Sequence, residues 1–303
     1  MKILVAGATG LVGSAIMRNL NSKKAEVIGV SSKDVNLLDR DATFNFLNQC
    51  SPDVVIDAAA RVGGIGANNS HPVDFLSDNL RIQTNLIDAS HDANVTKFVF
   101  MGSSCIYPKM ALQPIKESEL LNGSLEPTNS AYALAKIAGI ELIKSYRKQY
   151  GRKWISLMPA NLYGPGDNFN VHSGHVLPSL LNKFHTGMIN NHQNVELWGD
   201  GSSFREFLHV DDLAEAVIFC MNNYEDSEPI NLASGEEVSL KVLAEMIKFD
   251  TGYTGEIVWD TTKPTGTPAK SLDITKIRQL GWCPQYLLSH GIALTVEWFV
   301  SQQ

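Results

Sequence analysis

Short apolar runs alternate with segments of helical spacing along the first half of the chain. Runs rich in Val, Ile, Leu and Phe predict strands at residues 2–6, 26–30, 54–57, 98–101 and 154–158. Between and beside them, the spacing predicts helices at residues 11–20, 72–93 and 131–150. Such alternation is typical of a parallel sheet covered on both faces. We therefore expect a doubly wound α/β fold, with ligands bound beyond the carboxyl ends of the strands.

The pattern changes after Pro159, where loop signals become frequent. Glycine, proline and asparagine cluster at residues 161–168, and glycine and serine at 198–203. Between and after these loops, residues 176–186 and 239–249 predict helices, the second capped by Ser239. We expect a large domain over residues 1–165, with later strands added from the C-terminal half. A smaller module is expected mainly over residues 166–303.

Composition narrows the class of protein. The 303 residues are 44% hydrophobic and 19% charged, which is ordinary for a globular enzyme. A net charge of −7 argues against nucleic acid or an anionic membrane surface as a partner. No apolar run approaches the ~20 residues of a membrane helix, and the N-terminal run is too short for a signal peptide. A cytoplasmic protein is expected.

The cysteines are scattered, with no C-x-x-C pair, at Cys50, Cys105, Cys220 and Cys283. Neither a metal site nor a disulfide framework is indicated. Three of them are expected to be buried free thiols in a reducing compartment. Cys105 differs because it lies two residues after Ser103, just beyond an apolar strand. Side chains two apart in an extended segment point the same way, so we expect this hydroxyl and thiol to face one ligand.

The first strand runs into a glycine-rich turn with the spacing G-x-x-G-x-x-G, at residues 7–13. Glycine permits a sharp bend and lets backbone amides approach a pyrophosphate at a helix N-terminus. The turn lies between a predicted strand and a predicted helix, which is the context that a dinucleotide site requires. The domain over residues 1–165 is therefore expected to be a Rossmann domain that binds a dinucleotide.

The end of the second strand bears on which dinucleotide binds. NAD sites usually place an acidic residue there for the ribose 2′-hydroxyl. This chain has Ser31, Ser32 and Lys33, whose hydroxyls and positive charge suit a 2′-phosphate. We favour NADP(H), although Asp34 follows directly, and a solvated turn is the structural alternative.

Tyr132 and Lys136 lie four residues apart in a strongly helical segment, so they share one face. A tyrosine with a pKa near ~10 is a poor proton carrier at neutral pH. We expect the lysine ammonium to lower that pKa and ease proton transfer. A buried tyrosine beside a surface lysine is the alternative, but the glycine turn and Ser103 favour a functional pair.

Glycine turn, Ser103 and Tyr-x-x-x-Lys together resemble the extended short-chain dehydrogenase/reductase family. Within it, members acting on GDP-4-keto-6-deoxy sugars are similar to this chain over residues 1 to about 300, at segments 58–69, 102–108, 125–129, 135–139, 161–165 and 205–212. The resemblance implies NADPH-dependent conversion of GDP-4-keto-6-deoxy-D-mannose to GDP-L-fucose, by epimerisation at C3 and C5 and reduction at C4. Related substrates stay open: a 3,6-dideoxy sugar leading to colitose, or a heptose. A non-catalytic NADP-binding sensor is a remote alternative.

The resemblance also implies the catalytic roles. Cys105 is the base and His175 the general acid, and both side chains titrate within reach of neutral pH. Ser103 and Tyr132 bind the C4 oxygen, Tyr132 delivers the proton, and Lys136 also binds the nicotinamide ribose. Cys105 as a small buried hydrophobe remains an alternative, and His172 competes with His175 for the acid role.

Binding residues follow from the same resemblance. For the cofactor they are Gly7, Ala8, Thr9, Gly10, Leu11, Val12, Gly13, Ser32, Lys33, Asp39, Ala58, Ala59, Lys136, Pro159, Asn161, Leu162 and His175. For the GDP-sugar substrate they are Ser104, Asn161, Lys183, Trp198, Arg205 and Lys270. No metal is implied. Thr9, Asn182 and Ala269 depart from the family pattern, because bacterial members often carry basic residues there.

Apolar positions in the helix over residues 131–150 lie around more than one face. One face is expected to meet the sheet and another a second subunit. A homodimer through the helices at residues 72–93 and 131–150 is therefore the expected assembly.

Overall fold

The structure, a computed structural model, describes the chain except residues 24, 172 and 264–267 and the side chain of residue 65. Its strands are β1 Lys2–Ala6, β2 Glu26–Val30, β3 Val54–Asp57, β4 Lys97–Met101, β5 Ile155–Pro159, β6 Asn161–Tyr163, β7 Asn194–Trp198, β8 Phe204–His209, β9 Ile230–Leu232, β10 Glu237–Ser239 and β11 Glu256–Asp260. Its helices are α1 Leu11–Ser22, α2 Arg40–Cys50, α3 Ile65–Ser70, α4 Pro72–Asp92, α5 Ser130–Tyr150, α6 Val176–Ile189, α7 Val210–Asn223, α8 Leu240–Asp250, α9 Thr275–Gln279 and α10 Leu288–Ser301. Every predicted strand and helix is present, with small shifts at the ends.

The main sheet has the strand order β2-β1-β3-β4-β5-β9, and each neighbouring pair is parallel. Strands β1, β3 and β4 are buried almost throughout, because helices cover both faces of the sheet. The strand order reverses between β1 and β3, which is where such sheets bind ligands. The predicted doubly wound parallel fold is confirmed.

Smaller sheets lie in the second half of the chain, where β8 pairs with β6 and β10, and β7 pairs with β11. They pack with α6, α8 and α10 around a second apolar core that includes Phe184, Phe207, Ile247 and Phe299. Strand β9 and helix α7 instead pack into the main core. The chain therefore crosses between the two cores more than once, and a boundary at residue 165 stays a prediction.

All four cysteines are free. Cys220 is buried as expected, whereas Cys50 is half-buried and Cys283 is exposed. The expectation of burial is wrong for Cys283 because it lies in the surface segment that joins α9 to α10. Among the described residues, no helix is long and apolar enough to cross a bilayer, and no cluster of His, Cys, Asp and Glu is arranged to hold a metal ion.

Asp212, at the start of α7, holds the segment that precedes α10. Its buried carboxylate accepts hydrogen bonds from the backbone N–H groups of Gln285 and Tyr286, both at 2.9 Å. The two N–H groups belong to a connection between helices, so they depend on this carboxylate for their hydrogen bonds. Asp212 therefore attaches the C-terminal segment to the main core.

We expect Asp212→Ala to lower the free energy of unfolding by about 1–3 kcal/mol, because two N–H groups lose their acceptor. Glu215→Ala, an exposed position of the same helix, is the matched control and is expected to change it by less than ~0.5 kcal/mol. Urea unfolding followed by circular dichroism measures both values. Equal stability of the two variants would show that Asp212 does not hold the segment.

Candidate active site

The glycine turn brings backbone atoms too close together for larger residues. Gly7 has a φ of +76°, and the N–H of Gly10 donates to the Gly7 carbonyl over 3.1 Å. A Cβ on Gly13 would lie 2.1 Å from the Gly7 oxygen. Gly10 is the N-cap of α1 and provides no side chain to cap it, so the first N–H groups of the helix remain for a ligand. The turn at residues 7–13 therefore fits a pyrophosphate.

Asp34 is engaged by its own loop at the end of β2. Its Oδ2 accepts hydrogen bonds from the N–H of Ser31 at 2.8 Å and from the Ser31 hydroxyl at 2.7 Å. These bonds hold the pKa of Asp34 below its ordinary value. Ser32 and Lys33 are exposed beside it. The carboxylate is thus turned into the loop, and the remaining groups favour a 2′-phosphate over a 2′-hydroxyl.

Asp39, another residue assigned to the cofactor, lies further along the same connection. Its Oδ1 accepts the N–H of Ala42 over 3.0 Å and so caps α2. Its side chain is exposed. The first helical turn after β2 is therefore fixed by this aspartate.

Asp57, at the end of β3, is a buried carboxylate that the sequence pattern did not single out. Its Oδ1 accepts the N–H of Ala59 over 3.1 Å, whereas its Oδ2 is buried and accepts no hydrogen bond from the residues that the structure describes. Burial raises the pKa of Asp57 to about 6, and the charge of Lys136 opposes that rise. The adjacent Ala58 packs against Gly7, where a Cβ would lie 2.7 Å from the Ala58 oxygen. An unpaired acceptor therefore lies beside the glycine turn.

The chain after β4 forms a helical turn. Strand β4 ends at Met101, and Ser104–Ile106 is a 3₁₀ helix. The Ser103 Oγ accepts the N–H of Cys105 over 3.2 Å and caps this turn. The expectation of an extended segment is therefore wrong at Cys105, because a serine that accepts a nearby N–H starts a turn. That the hydroxyl of Ser103 and the thiol of Cys105 face one ligand stays a prediction. Ser104, assigned to the substrate, is buried within it.

Tyr132 and Lys136 lie one turn apart on α5, close to Ser103. The Ser103 side chain lies near the Tyr132 hydroxyl and favours its ionised form, which opposes the rise in the pKa of Tyr132. The Lys136 Nζ donates to the carbonyl of Met101 over 2.7 Å and lies 5.9 Å from the centre of the Tyr132 ring. Both side chains are therefore anchored to the end of β4.

Burial controls the titration of this pair. It raises the pKa of Tyr132 and lowers the pKa of Lys136. The expectation that Lys136 lowers the pKa of Tyr132 is wrong for this structure, since the ammonium bonds to a backbone carbonyl and desolvation of the phenol dominates. Tyr132 is consequently a neutral phenol at physiological pH, and thus a proton donor.

Two polar groups from distant parts of the chain converge on the thiol of Cys105. The Asn129 Nδ2 lies 3.3 Å from its Sγ, and the Lys270 Nζ lies 3.9 Å from it. Cys105 is also partly exposed. These surroundings disfavour the alternative of a buried hydrophobic cysteine. Asn129 was not predicted as a site residue, although it ends the 125–129 segment that carried part of the resemblance.

His175 is the N-cap residue of α6, and its side chain is exposed. Desolvation by the surrounding protein lowers its pKa. Its loop contacts the loop after β3, where the N–H of Gly64 donates to the Ser173 carbonyl over 3.1 Å. Asn68 in α3 bonds to the Gly64 carbonyl, and α3 packs against the 127–129 turn. These contacts bring the His175 loop next to the turn that contacts Cys105. His172 lies outside the described residues.

Pro159, Asn161 and Leu162 lie at the junction of β5 and β6. The Asn161 Nδ2 donates to the carbonyl of Glu206 over 2.9 Å, which fixes the side chain against β8. Pro159 is buried, whereas Asn161 and Leu162 are half-buried. This junction lies at the carboxyl end of β5, on the same side of the sheet as the carboxyl end of the parallel neighbour β4.

The basic and aromatic residues assigned to the substrate lie on different elements of the second half of the chain: Lys183 in α6, Trp198 in β7, Arg205 in β8 and Lys270 in a loop. The Lys183 Nζ donates to the carbonyl of Glu196 over 3.0 Å, and burial lowers the pKa of Lys183. Trp198, at the end of β7, is 64% exposed. Arg205 is half-buried in β8. The structure therefore places Lys270 at the thiol and Lys183 against β7.

Comparison with known proteins connects this arrangement to a family. Residues 3–233 match the model of the NAD dependent epimerase/dehydratase family. GDP-L-fucose synthase 1 of Arabidopsis thaliana is 49% identical over 300 residues, covering 99% of this chain and 93% of the relative. GDP-L-fucose synthase of Escherichia coli (strain K12) is 47% identical over 312 residues, covering 100% and 97%. The crystal structure of a GDP-L-fucose synthetase from Naegleria fowleri bound to NADP is 33% identical, with a TM-score of 0.91 and coverage of 99% and 94%.

The glycine turn makes a direct prediction about dinucleotide binding. Gly13→Ala is expected to weaken NADPH binding by more than about tenfold, because its Cβ meets the backbone of Gly7, which cannot move without opening the turn. Asn21→Ala, at an exposed position near the C-terminal end of the same helix, is the control and should leave NADPH affinity unchanged. Fluorescence titration with NADPH measures both affinities. Equal affinities would exclude the turn as the pyrophosphate site.

Proposed function

Since the chain belongs to the NAD dependent epimerase/dehydratase family, we propose that it converts GDP-4-keto-6-deoxy-D-mannose to GDP-L-fucose. The reaction epimerises the sugar at C3 and C5 and then reduces C4 with NADPH. The observation that carries this proposal is the placement of a thiol within one helical turn of a serine whose side chain lies near Tyr132. Reduction alone needs the hydroxyl groups, whereas inversion of a carbon also needs a base.

NADPH fits the carboxyl end of the sheet. Residues 7–13 would hold its pyrophosphate, Ser32 and Lys33 its 2′-phosphate, and Lys136 its nicotinamide ribose. Bound there, NADPH supplies the hydride that C4 receives. The NADP-bound relative supports this choice of cofactor.

Epimerisation uses the acidity of carbons that flank a ketone. Cys105, as the thiolate, takes the proton from C3 or C5 and becomes a thiol, and the electrons of the broken C–H bond move to the C4 oxygen as an enolate. Ser103 and Tyr132 donate hydrogen bonds to that oxygen. Protonated His175 then donates a proton to the opposite face of the carbon, and the electrons return to form the new C–H bond. Solvent returns the proton from Cys105 to His175.

Reduction uses the same hydroxyl groups at C4. As C4 accepts the hydride, its oxygen gains negative charge, and Tyr132 donates a proton to it while Ser103 holds it in place. The raised pKa of Tyr132 keeps the phenol protonated until that charge develops. Lys136 is buried and bonded at the end of β4, so it holds the α5 turn that presents Tyr132.

We expect Cys105→Ser and Tyr132→Phe to separate the two reactions. The serine hydroxyl is too weak an acid to act as the base, so this variant loses epimerised product but still oxidises NADPH with the unepimerised ketone. Tyr132→Phe loses the proton donor, and its NADPH oxidation falls by about 10²-fold or more. Absorbance at the NADPH band and NMR of the products measure the two outcomes. If Cys105→Ser inverted C3 and C5 at the wild-type rate, the thiol would not be the base.

We also propose that two copies pair through residues 72–93 and 131–150, in the cytoplasm, where the free thiols stay reduced. Helices α4 and α5 pack against each other. On the outer side of α5, Leu134 is 49% exposed and Ala138 is exposed as well. The exposed apolar residues on the outer side of α5 support pairing with a second copy.

Leu134→Glu is expected to convert the dimer to a monomer, because a carboxylate would be buried without a partner in the paired surface. Phe249→Glu, at an 84% exposed position of α8, is the control and should leave the mass of the dimer unchanged. Light scattering across a dilution series gives both masses. A monomeric wild-type protein at every concentration would contradict the proposed pairing.

A further inference from the structure

The thiol of Cys105 lies between an amide and an ammonium group. Asn129 approaches from the turn before α5, with its Nδ2 at 3.3 Å, and Lys270 approaches from the segment before α9, with its Nζ at 3.9 Å. Both contacts are made by hydrogen-bond donors. A sulfur that faces donors is stabilised as the thiolate, because a thiolate accepts hydrogen bonds and attracts a positive charge more strongly than a thiol does.

The backbone segment that carries Lys270 is fixed by hydrogen bonds of residues on either side of it. The N–H of Phe204 donates to the Pro268 carbonyl over 2.8 Å, and the N–H of Leu272 donates to the Glu206 Oε2 over 2.8 Å. Glu206 is buried, so this bond fixes the segment to β8. These anchors on either side of Lys270 restrict how far its ammonium can move from the sulfur.

The same segment is tied to the loop that carries Cys105. The N–H of Ser271 donates to the Gln113 Oε1 over 2.8 Å, and the N–H of Ile115 donates to the Ser271 carbonyl over 2.9 Å. Gln113 and Ile115 follow Cys105 along one connection. Lysine and cysteine are therefore held by a shared backbone framework, although they are distant in sequence.

Asn129 maintains its contact at a cost. Its Oδ1 is buried and accepts no hydrogen bond within the described part of the chain, which is unfavourable for a polar atom. Its side chain does not cap α5 either. The contact between its Nδ2 and the Cys105 sulfur is thus the interaction that this side chain makes. A buried polar atom left without a partner requires an explanation, and a functional role of the side chain is one.

We propose that Lys270 and Asn129 stabilise Cys105 as the thiolate, which makes Lys270 a positioning residue for epimerisation rather than a binding group for the GDP pyrophosphate. The inference rests on the proposed function, in which that thiolate is the base. Lys270 acts only on the charged sulfur. Its contribution therefore appears when Cys105 gives up its proton, before the proton of the sugar is taken.

Alkylation of the free enzyme tests this directly, because the thiolate is the form that reacts. Lys270→Met is expected to slow the reaction of Cys105 with iodoacetamide at pH 7 by about tenfold, whereas at pH 10 the variant and the wild-type protein react alike. Lys270→Arg retains the charge and should restore most of the rate at pH 7. The exposed Cys283, followed by peptide mass spectrometry in the same samples, is the internal reference.

Matched variants separate the proposed effect from a general disturbance. Lys263→Met removes another lysine of the same region, whose Nζ lies 5.9 Å from the Trp198 ring centre, and should leave Cys105 reactivity unchanged. Asn129→Asp keeps the shape of the side chain but places a negative charge beside the sulfur. It should slow alkylation at pH 7 more than Asn129→Ser does, with circular dichroism confirming that both variants are folded.

Steady-state kinetics distinguish the proposed role of Lys270 from the alternative, in which Lys270 binds the GDP-sugar. If Lys270→Met leaves Cys105 alkylation unchanged and only raises KM for the GDP-sugar, then Lys270 binds substrate and the proposal is wrong. If the proposal holds, kcat for epimerised product falls while NADPH oxidation with the unepimerised ketone persists. Alkylation needs no substrate, so its result tests the role of Lys270 whether or not the wild-type protein converts GDP-4-keto-6-deoxy-D-mannose. If the wild-type protein does not convert that substrate, the proposed function is wrong, and the alkylation result is unaffected.

Discussion

The hydrogen bond from the Cys105 N–H to the Ser103 Oγ determines how the two proposed reactions share one site. It ends the extended backbone of β4 and starts the 3₁₀ turn that carries the thiol. The same serine side chain lies near Tyr132, so one residue neighbours both the proposed base and the proposed proton donor. Any ketone held by Ser103 and Tyr132 would therefore lie beside the sulfur, and the carbons next to that ketone are the ones whose protons are acidic.

Burial determines which form each titratable group takes around this turn. It raises the pKa of Asp57 and of Tyr132, and it lowers the pKa of Lys136. Tyr132 is consequently a donor at neutral pH, which suits both an enolate and an alkoxide at C4. Asp57 and Lys136 oppose each other's pKa shifts, so the end of β3 and helix α5 are coupled through charge.

Much of this arrangement follows from the sequence. The strands were predictable because strands covered on both faces are continuously apolar, and the turn at residues 7–13 was predictable because few other local structures need three glycines between a strand and a helix. Tyr132 and Lys136 were placed on one helix face by their spacing alone. Local patterns thus account for the sheet, the cofactor turn and the tyrosine–lysine pair.

Features that depend on contacts distant in the sequence were not predictable. Lys270 reaches Cys105 across 165 residues, and only the hydrogen bonds of the 268–273 segment bring the two together. From the sequence, Asp57 is recognisable only as the last residue of a strand. Its burial and its unpaired oxygen depend on packing, which the local sequence does not show. The pKa of Tyr132 was assigned the wrong direction for the same reason, since desolvation is a property of packing rather than of spacing.

One isotope experiment tests most directly whether a single site carries out both reactions. Wild-type protein, ordinary NADPH and GDP-4-keto-6-deoxy-D-mannose are incubated in heavy water, and the product is analysed by NMR and mass spectrometry. Epimerisation through an enolate predicts deuterium at C3 and at C5, and hydride transfer from NADPH predicts ordinary hydrogen at C4. A reduced product that carries deuterium at C5 alone, or at neither carbon, would contradict this prediction.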